Sequence, residues 1–235
     1  MRIGVGALNA DEVLNLKKEG YLFLKSYKPE ATTLEVASGL AKIVSVGDLV
    51  PETGIGAVHK VIPKNKAETN AHSYSGIYGL ESFPFHTDLA HWSVPPRFIV
   101  LRCVEGDDSV ATLILTSRHI QKLKKWLPLD KALFSPRRNI TTHCAVILPM
   151  MFSADGVGCI RWDRDFLNPV NESGRVVRDG IEGALKSVGR PAAITLSSPG
   201  DTLILDNWRC IHSRTSVPSG SKRVIERAYL EGDLR

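Results

Sequence analysis

The apolar residues of this chain change their period along its length. Val13, Leu14 and Leu16 follow Asn9-Ala10-Asp11-Glu12, an N-cap signal, and Gly20 stops the pattern, which predicts a first helix. Tyr21-Leu22-Phe23-Leu24 reads as a short buried strand. Leu34, Ala37, Leu40, Ala41 and Val44 return to helical spacing and predict a second helix from Thr33 to about Val46. From Pro51 to Ser82 the period fades among Gly, Pro, Asn and Ser. That reads as a long irregular loop, of the kind that usually carries function.

Beyond the Pro95-Pro96 break, Arg97 to Val104 and Val110 to Leu115 predict strands about a Glu105-Gly106-Asp107-Asp108 turn. Thr116 or Ser117 then caps a helix bearing Ile120, Leu123, Trp126 and Leu127. Thr141 to Leu148 alternates weakly and predicts a strand, and Asp179 to Val188 a short helix. The final third is strand and turn, with strands at Ala192 to Leu196, Thr202 to Asp206, Cys210 to Thr215 and Arg223 to Leu230. With no internal repeat or linker, residues 1–235 read as one domain. Helices followed by short punctuated strands predict an α+β fold, a helix-decorated β-sandwich or jelly roll.

Composition narrows the function classes. A hydrophobic fraction of 43% and a charged fraction of 23% are those of a globular protein with a substantial core. No apolar run approaches the ~20 residues of a membrane span. Met1-Arg2-Ile3-Gly4-Val5-Gly6 lacks a signal-peptide apolar region, so a cytoplasmic location is expected. The four cysteines form no Cys-x-x-Cys, which points away from a disulfide framework or zinc knuckle. The net charge of +5 comes from scattered basic residues with no nucleic-acid motif. A basic surface around a site for an anionic small molecule accounts for it better than a nucleic-acid partner; nothing fixes the oligomeric state.

The candidate chemistry starts at Phe85-His86-Thr87-Asp88. On extended backbone, residues two apart share a face, so His86 and Asp88 can hold one metal ion between them. His212 is the best candidate for a third ligand. Two histidines and one carboxylate on one face of an octahedron suit a non-heme Fe(II) site with open positions. Cys210 shares a strand face with His212 and would also permit a Cys-x-His metal pair, although a small buried thiol is the commoner role.

Three stretches carry a family resemblance: Phe85-His86-Thr87-Asp88-Leu89; Gly200-Asp201-Thr202-Leu203-Ile204-Leu205-Asp206-Asn207; and His212-Ser213-Arg214-Thr215 with Lys222-Arg223-Val224-Ile225-Glu226-Arg227-Ala228-Tyr229-Leu230. They resemble the taurine dioxygenase-like branch of the Fe(II)/2-oxoglutarate oxygenases, which includes the γ-butyrobetaine hydroxylases. The resemblance implies a double-stranded β-helix (jelly-roll) core with flanking helices, and an enzyme using Fe(II), 2-oxoglutarate and O₂. It implies that His86, Asp88 and His212 are the metal ligands and catalytic centre. Arg223 would anchor the distal carboxylate of 2-oxoglutarate, Thr112 would share that carboxylate, and Arg227 would meet the inner carboxylate or an anionic substrate group. Arg214 fits a structural partner better than a substrate ligand.

The implied reaction is hydroxylation of an unactivated C–H bond in a small polar, carboxylate-bearing metabolite, releasing succinate and CO₂. The carboxylate at Asp88 favours hydroxylation over halogenation. Desaturation, cyclisation or epoxidation on the same site is the alternative outcome, and a non-catalytic jelly-roll metal- or anion-binding module the alternative class. The 51–82 loop and part of 149–178 are expected to cover the iron, with His72, Tyr74 or Tyr78 touching substrate. An aromatic content of 7% offers no obvious cage for a quaternary ammonium.

Overall fold

The structure, a computed structural model, describes residues 7–49, 56–71, 73–137 and 147–235. In chain order the elements are α1 (Ala10–Glu19), β1 (Tyr21–Leu24), α2 (Thr33–Leu40), β2 (Lys42–Val44), α3 (Val46–Leu49), β3 (Val58–Val61), α4 (Tyr74–Tyr78), β4 (Phe83–His86), β5 (Phe98–Glu105) and β6 (Ala111–Leu115). There follow α5 (Ser117–Leu123), β7 (Leu133–Pro136), β8 (Leu148–Pro149), β9 (Met151–Ala154), β10 (Val157–Ile160), β11 (Leu167–Pro169), α6 (Glu172–Ser187), β12 (Ala192–Thr195), β13 (Thr202–Asp206), β14 (Ile211–Arg214) and β15 (Val224–Glu231).

Two antiparallel sheets face each other as a double-stranded β-helix. The larger runs β1-β13-β5-β15-β2, with β3 also paired to β15; the smaller runs β12-β6-β14-β4. Every residue of β13 is buried because both faces of the strand are covered. Leu203 and Leu205 point into the cluster between the sheets, with Ile99, Ile114, Ile225 and Tyr229. Ile204 points the other way, against Leu16 of α1 and Val36 and Leu40 of α2. A strand buried on both faces reads as a continuous apolar run, as Leu203-Ile204-Leu205 does. A third cluster, around Phe134, Trp162 and Ile181, joins α5 and α6 to Leu115 of β6 and Ile211 of β14.

Several predicted boundaries move. The second helix ends at Leu40, and Lys42–Val44 leaves it to pair with Tyr229–Glu231 of β15. Partners on β15, remote in sequence, outweigh the helical spacing of Ala41 and Val44. The stretch 51–82 is also less irregular than its composition implies. It contributes β3, a 3₁₀ turn at Lys66–Glu68 and α4, which Ser73 caps. The helix predicted from Asp179 starts at Glu172, capped by Asn171 through the Gly174 amide. Gly174 and Gly180 dilute its apolar period. Of the strand predicted at 141–148, residues 141–146 lie outside the described residues. The short strands β7, β9, β10 and β11 carry no clear period and were not anticipated.

One glycine ties the N-terminal helix to the strands of the site. Gly20 sits at φ +84°, and its N–H caps α1 on the Leu16 carbonyl at 2.8 Å. Its own carbonyl accepts from the Asp206 amide at 2.8 Å and from the Cys210 thiol at 3.3 Å. A Cβ at this position would lie 2.5 Å from the Cys210 sulfur. Gly20→Ala combines left-handed backbone strain with this clash. It should lower stability by more than about 1 kcal/mol in denaturant unfolding. An unchanged midpoint would show that this turn is not a constraint on the fold.

Candidate metal centre

The site is set by strand register. In the β4–β14 pair His86 stands directly opposite His212, so both imidazoles leave the same face. Their ring centroids are 4.5 Å apart. His86 Nδ1 lies 2.9 Å from the Pro84 carbonyl oxygen, a bond that leaves Nε2 as the free lone pair. β4 ends at His86, and Asp88 follows in the turn after it, still on the side of the two rings. Asp88 Oδ1 is 3.3 Å from His86 Nε2 and 3.6 Å from His212 Nε2. The ligand atoms of the three buried residues lie within 4.8 Å of one another.

The turn that delivers Asp88 is fastened on several sides. Fully buried Asn207 accepts from the Asp88 amide at 2.9 Å and donates to the Asp88 and Pro96 carbonyls at 3.0 and 3.1 Å. The Thr87 amide donates to the Trp162 carbonyl at 2.8 Å, and the Trp162 amide donates to the Thr87 hydroxyl at 3.2 Å. Arg161 donates to the carbonyls of Ala90, Trp92 and Ser93 just beyond. Leu89 takes φ +55°, a conformation a leucine keeps only when its surroundings impose it.

The protonation states of Asp88 and His212 suit a cation. For His86, burial is outweighed by the hydrogen bond and charge of Asp88, which raise its pKa, so a metal would displace a proton there. Burial alone would raise the Asp88 carboxyl, but Arg227 and the two imidazoles hold it well below the usual carboxylate range. Burial, then the neighbouring His86, push His212 down to about 3, so its ring is neutral at physiological pH. Two imidazole nitrogens and one carboxylate oxygen therefore converge on one point. That donor set fits a first-row transition metal with open positions.

The predicted residues divide. Arg227 Nη1 donates to Asp88 Oδ2 at 2.9 Å, so its partner in the structure is a protein carboxylate. Arg223 is 6% exposed, and among the described residues it makes no ion pair with a carboxylate and its buried Nε has no hydrogen-bond partner. Thr112, also buried, is the register partner of Arg214 across β6–β14. Arg214 stacks on the Phe83 ring at 4.0 Å and donates to the Gly79 and Glu81 carbonyls, a structural role. Burial and the nearby Arg223 charge lower its pKa to about 10.

Tyr74 places its ring 4.6 Å from that of His86, and its hydroxyl donates to Asp163. Burial raises Asp163 to about 6. Tyr78 is one ring further out, bonded to Asp165 at 2.7 Å. His72 lies outside the described residues. Cys210 points to Gly20 and takes no part in the cluster.

Tyr229 and Asn207 are the residues that sequence reasoning passed over. Tyr229 Oη donates to Asp88 Oδ2 at 2.8 Å. The period-two alternation of β15 already placed it on the face of Arg227.

No family model matches the chain. Clavaminate synthase 2 of Streptomyces clavuligerus is 25% identical over 194 residues, which cover 74% of this chain and 56% of that protein. The chain thus spans about half the length of that curated relative. Among solved structures, an asparagine oxygenase bound to Fe(II), 3-hydroxyasparagine and succinate superposes with a TM-score of 0.66 at 14% identity, covering 94% of this chain and 78% of that one. The PvcB protein of Pseudomonas aeruginosa gives 0.65 at 17% identity, covering 100% and 85%. The non-heme iron oxygenase OrfP bound to Fe and α-ketoglutaric acid gives 0.56 at 16%, covering 85% and 62%. The fold is the one these solved structures share.

His212→Ala removes one of the three donors and leaves the turn around Asp88 intact. It is expected to abolish stoichiometric Fe(II) uptake in anaerobic titration with an unchanged circular-dichroism spectrum. Full uptake by the variant would place the metal elsewhere.

Proposed function

We propose that the chain is an Fe(II)- and 2-oxoglutarate-dependent oxygenase that hydroxylates an unactivated C–H bond of a small, polar, amino-acid-like metabolite. The observation that carries this reading is Arg223. Among the described residues no carboxylate pairs with it directly, Asp107 acting on its charge only from a distance, and a buried guanidinium so placed is costly and calls for an anion. A purely structural metal site would have no use for one. The distal carboxylate of 2-oxoglutarate matches the guanidinium fork with two parallel, charge-assisted hydrogen bonds, and Thr112 supplies a hydroxyl for the same group.

Iron bound by His86, Asp88 and His212 would supply the activation of O₂ and the oxidative decarboxylation of 2-oxoglutarate to succinate and CO₂. The chain supplies orientation and exclusion of water. Tyr74, packed on His86 and held by Asp163, covers the imidazole side of the site. Beside its bond to Asp88, Arg227 keeps an Nε with no partner among the described residues, an edge for the cosubstrate's inner carboxylate or a carboxylate of the substrate. Hydroxylation is favoured over desaturation, cyclisation or epoxidation by the ligands bound in two similar structures, 3-hydroxyasparagine and a hydroxylated arginine.

Arg223→Ala deletes the anchor of a charged group, a loss of about 2–5 kcal/mol. The apparent affinity for 2-oxoglutarate, followed anaerobically by the visible charge-transfer band, should fall at least about thirtyfold while Fe(II) stays bound. Unaltered affinity would remove Arg223 as the anchor, and with it the main support for a cosubstrate.

A further inference from the structure

We propose that Tyr229, together with Arg227, is a positioning residue that restricts the Asp88 carboxylate to a single ligating oxygen. The inference rests on the reading of His86, Asp88 and His212 as an iron site. Asp88 Oδ1 faces both histidine Nε2 atoms, at 3.3 and 3.6 Å. Asp88 Oδ2 faces the other way and accepts two hydrogen bonds, from Tyr229 Oη at 2.8 Å and from Arg227 Nη1 at 2.9 Å. The two oxygens of one carboxylate are thus assigned to different tasks.

Carboxylates ligate hard cations through one oxygen or two. For Oδ2 to swing onto the metal, both donors would have to be given up inside the core. Tyr229 is 4% exposed, so its hydroxyl would be left without water or partner, a heavy penalty for a buried donor. The tyrosine has little freedom to follow the carboxylate. It is held on β15 between Ile99 of β5 and Val44 of β2, and its ring lies 5.1 Å from the Arg227 guanidinium carbon. A phenylalanine would fill almost the same space and lack only the donor.

The consequence concerns open positions. With one oxygen and two imidazoles as ligands, an octahedral metal would keep its remaining positions for cosubstrate and O₂. A second carboxylate oxygen would take one of those places. Tyr229 then protects a coordination site that it never touches.

The test compares wild type, Tyr229→Phe and Ile225→Val. Ile225 lies on the same strand and in the same core cluster, with no bond to Asp88. Anaerobic titration should show Fe(II) affinity about 10–100-fold weaker in Tyr229→Phe, the usual effect of losing an outer partner of a ligand. The Co(II)-substituted protein should show altered ligand-field bands. Ile225→Val should lower thermal stability and leave metal affinity and bands as in wild type. In the wild-type Fe(II) complex the spacing of the carboxylate stretching bands in difference infrared spectra reads denticity without any variant, and a monodentate Asp88 is expected. A bidentate wild type, a Tyr229→Phe protein with unchanged affinity and bands, or equal losses in both variants would overturn the proposal. A wild type that takes up no Fe(II) would instead sink the iron-site reading, and this proposal with it.

Discussion

The site depends first on the pairing of β14 with β4 that sets His212 opposite His86. A slip of one residue would turn one imidazole to the other face of the sheet and leave no two nitrogens to share a cation. The pairing is braced from both ends of the chain. Gly20 holds the Asp206 amide and the Cys210 thiol, which flank the loop running into β14. Asn207, in that same loop, grips the peptide groups on both sides of Asp88. One loop therefore positions the third ligand by register and the second by hydrogen bonds. Strand register and these hydrogen bonds together set the geometry of the three ligands.

The second constraint is charge. Arg214, Arg223 and Arg227 gather at the inner face, where Asp88 and Asp163 are the carboxylates nearest the histidines. Arg227 is neutralised by Asp88, and Arg214 is partly compensated by two carbonyls and the Phe83 ring. Arg223 is left over. It makes no ion pair with a described carboxylate, and Asp107 acts on its charge only from a distance, so on the function proposed above it is half of a pair that a ligand completes.

Much of this was legible in the sequence where a local rule and the tertiary fold agree. His86, Asp88 and His212 sit in short strands and turns whose alternation or spacing is plain. Leu203-Ile204-Leu205 reads as a doubly covered strand, and Asn9 and Gly20 bracket α1 as cap rules require. Other features were hidden for definite physical reasons. Lys42–Val44 continues a helical period yet follows β15 into the sheet. The glycines of α6 mask its first turns, and β3 and α4 sit in a stretch whose composition signals loop. Arg227 was legible as a cation on the inner face, but not that its protein partner would be Asp88. That choice depends on which carboxylate the fold brings within 3 Å, which no spacing reveals. Tyr229 lay on the predicted face and escaped notice because an apolar-looking aromatic on a core strand is usually only packing.

On the function proposed above, one iron ion binds between β4 and β14 with its cosubstrate on Arg223. Anomalous diffraction from crystals soaked anaerobically with Fe(II) and 2-oxoglutarate tests it most directly. One iron peak is expected, bonded to Nε2 of His86, Nε2 of His212 and Oδ1 of Asp88. The distal carboxylate of 2-oxoglutarate should lie on the Arg223 guanidinium, and Asp88 Oδ2 should remain on Arg227 and Tyr229. Iron bound at other residues, or 2-oxoglutarate seated away from Arg223, would contradict it.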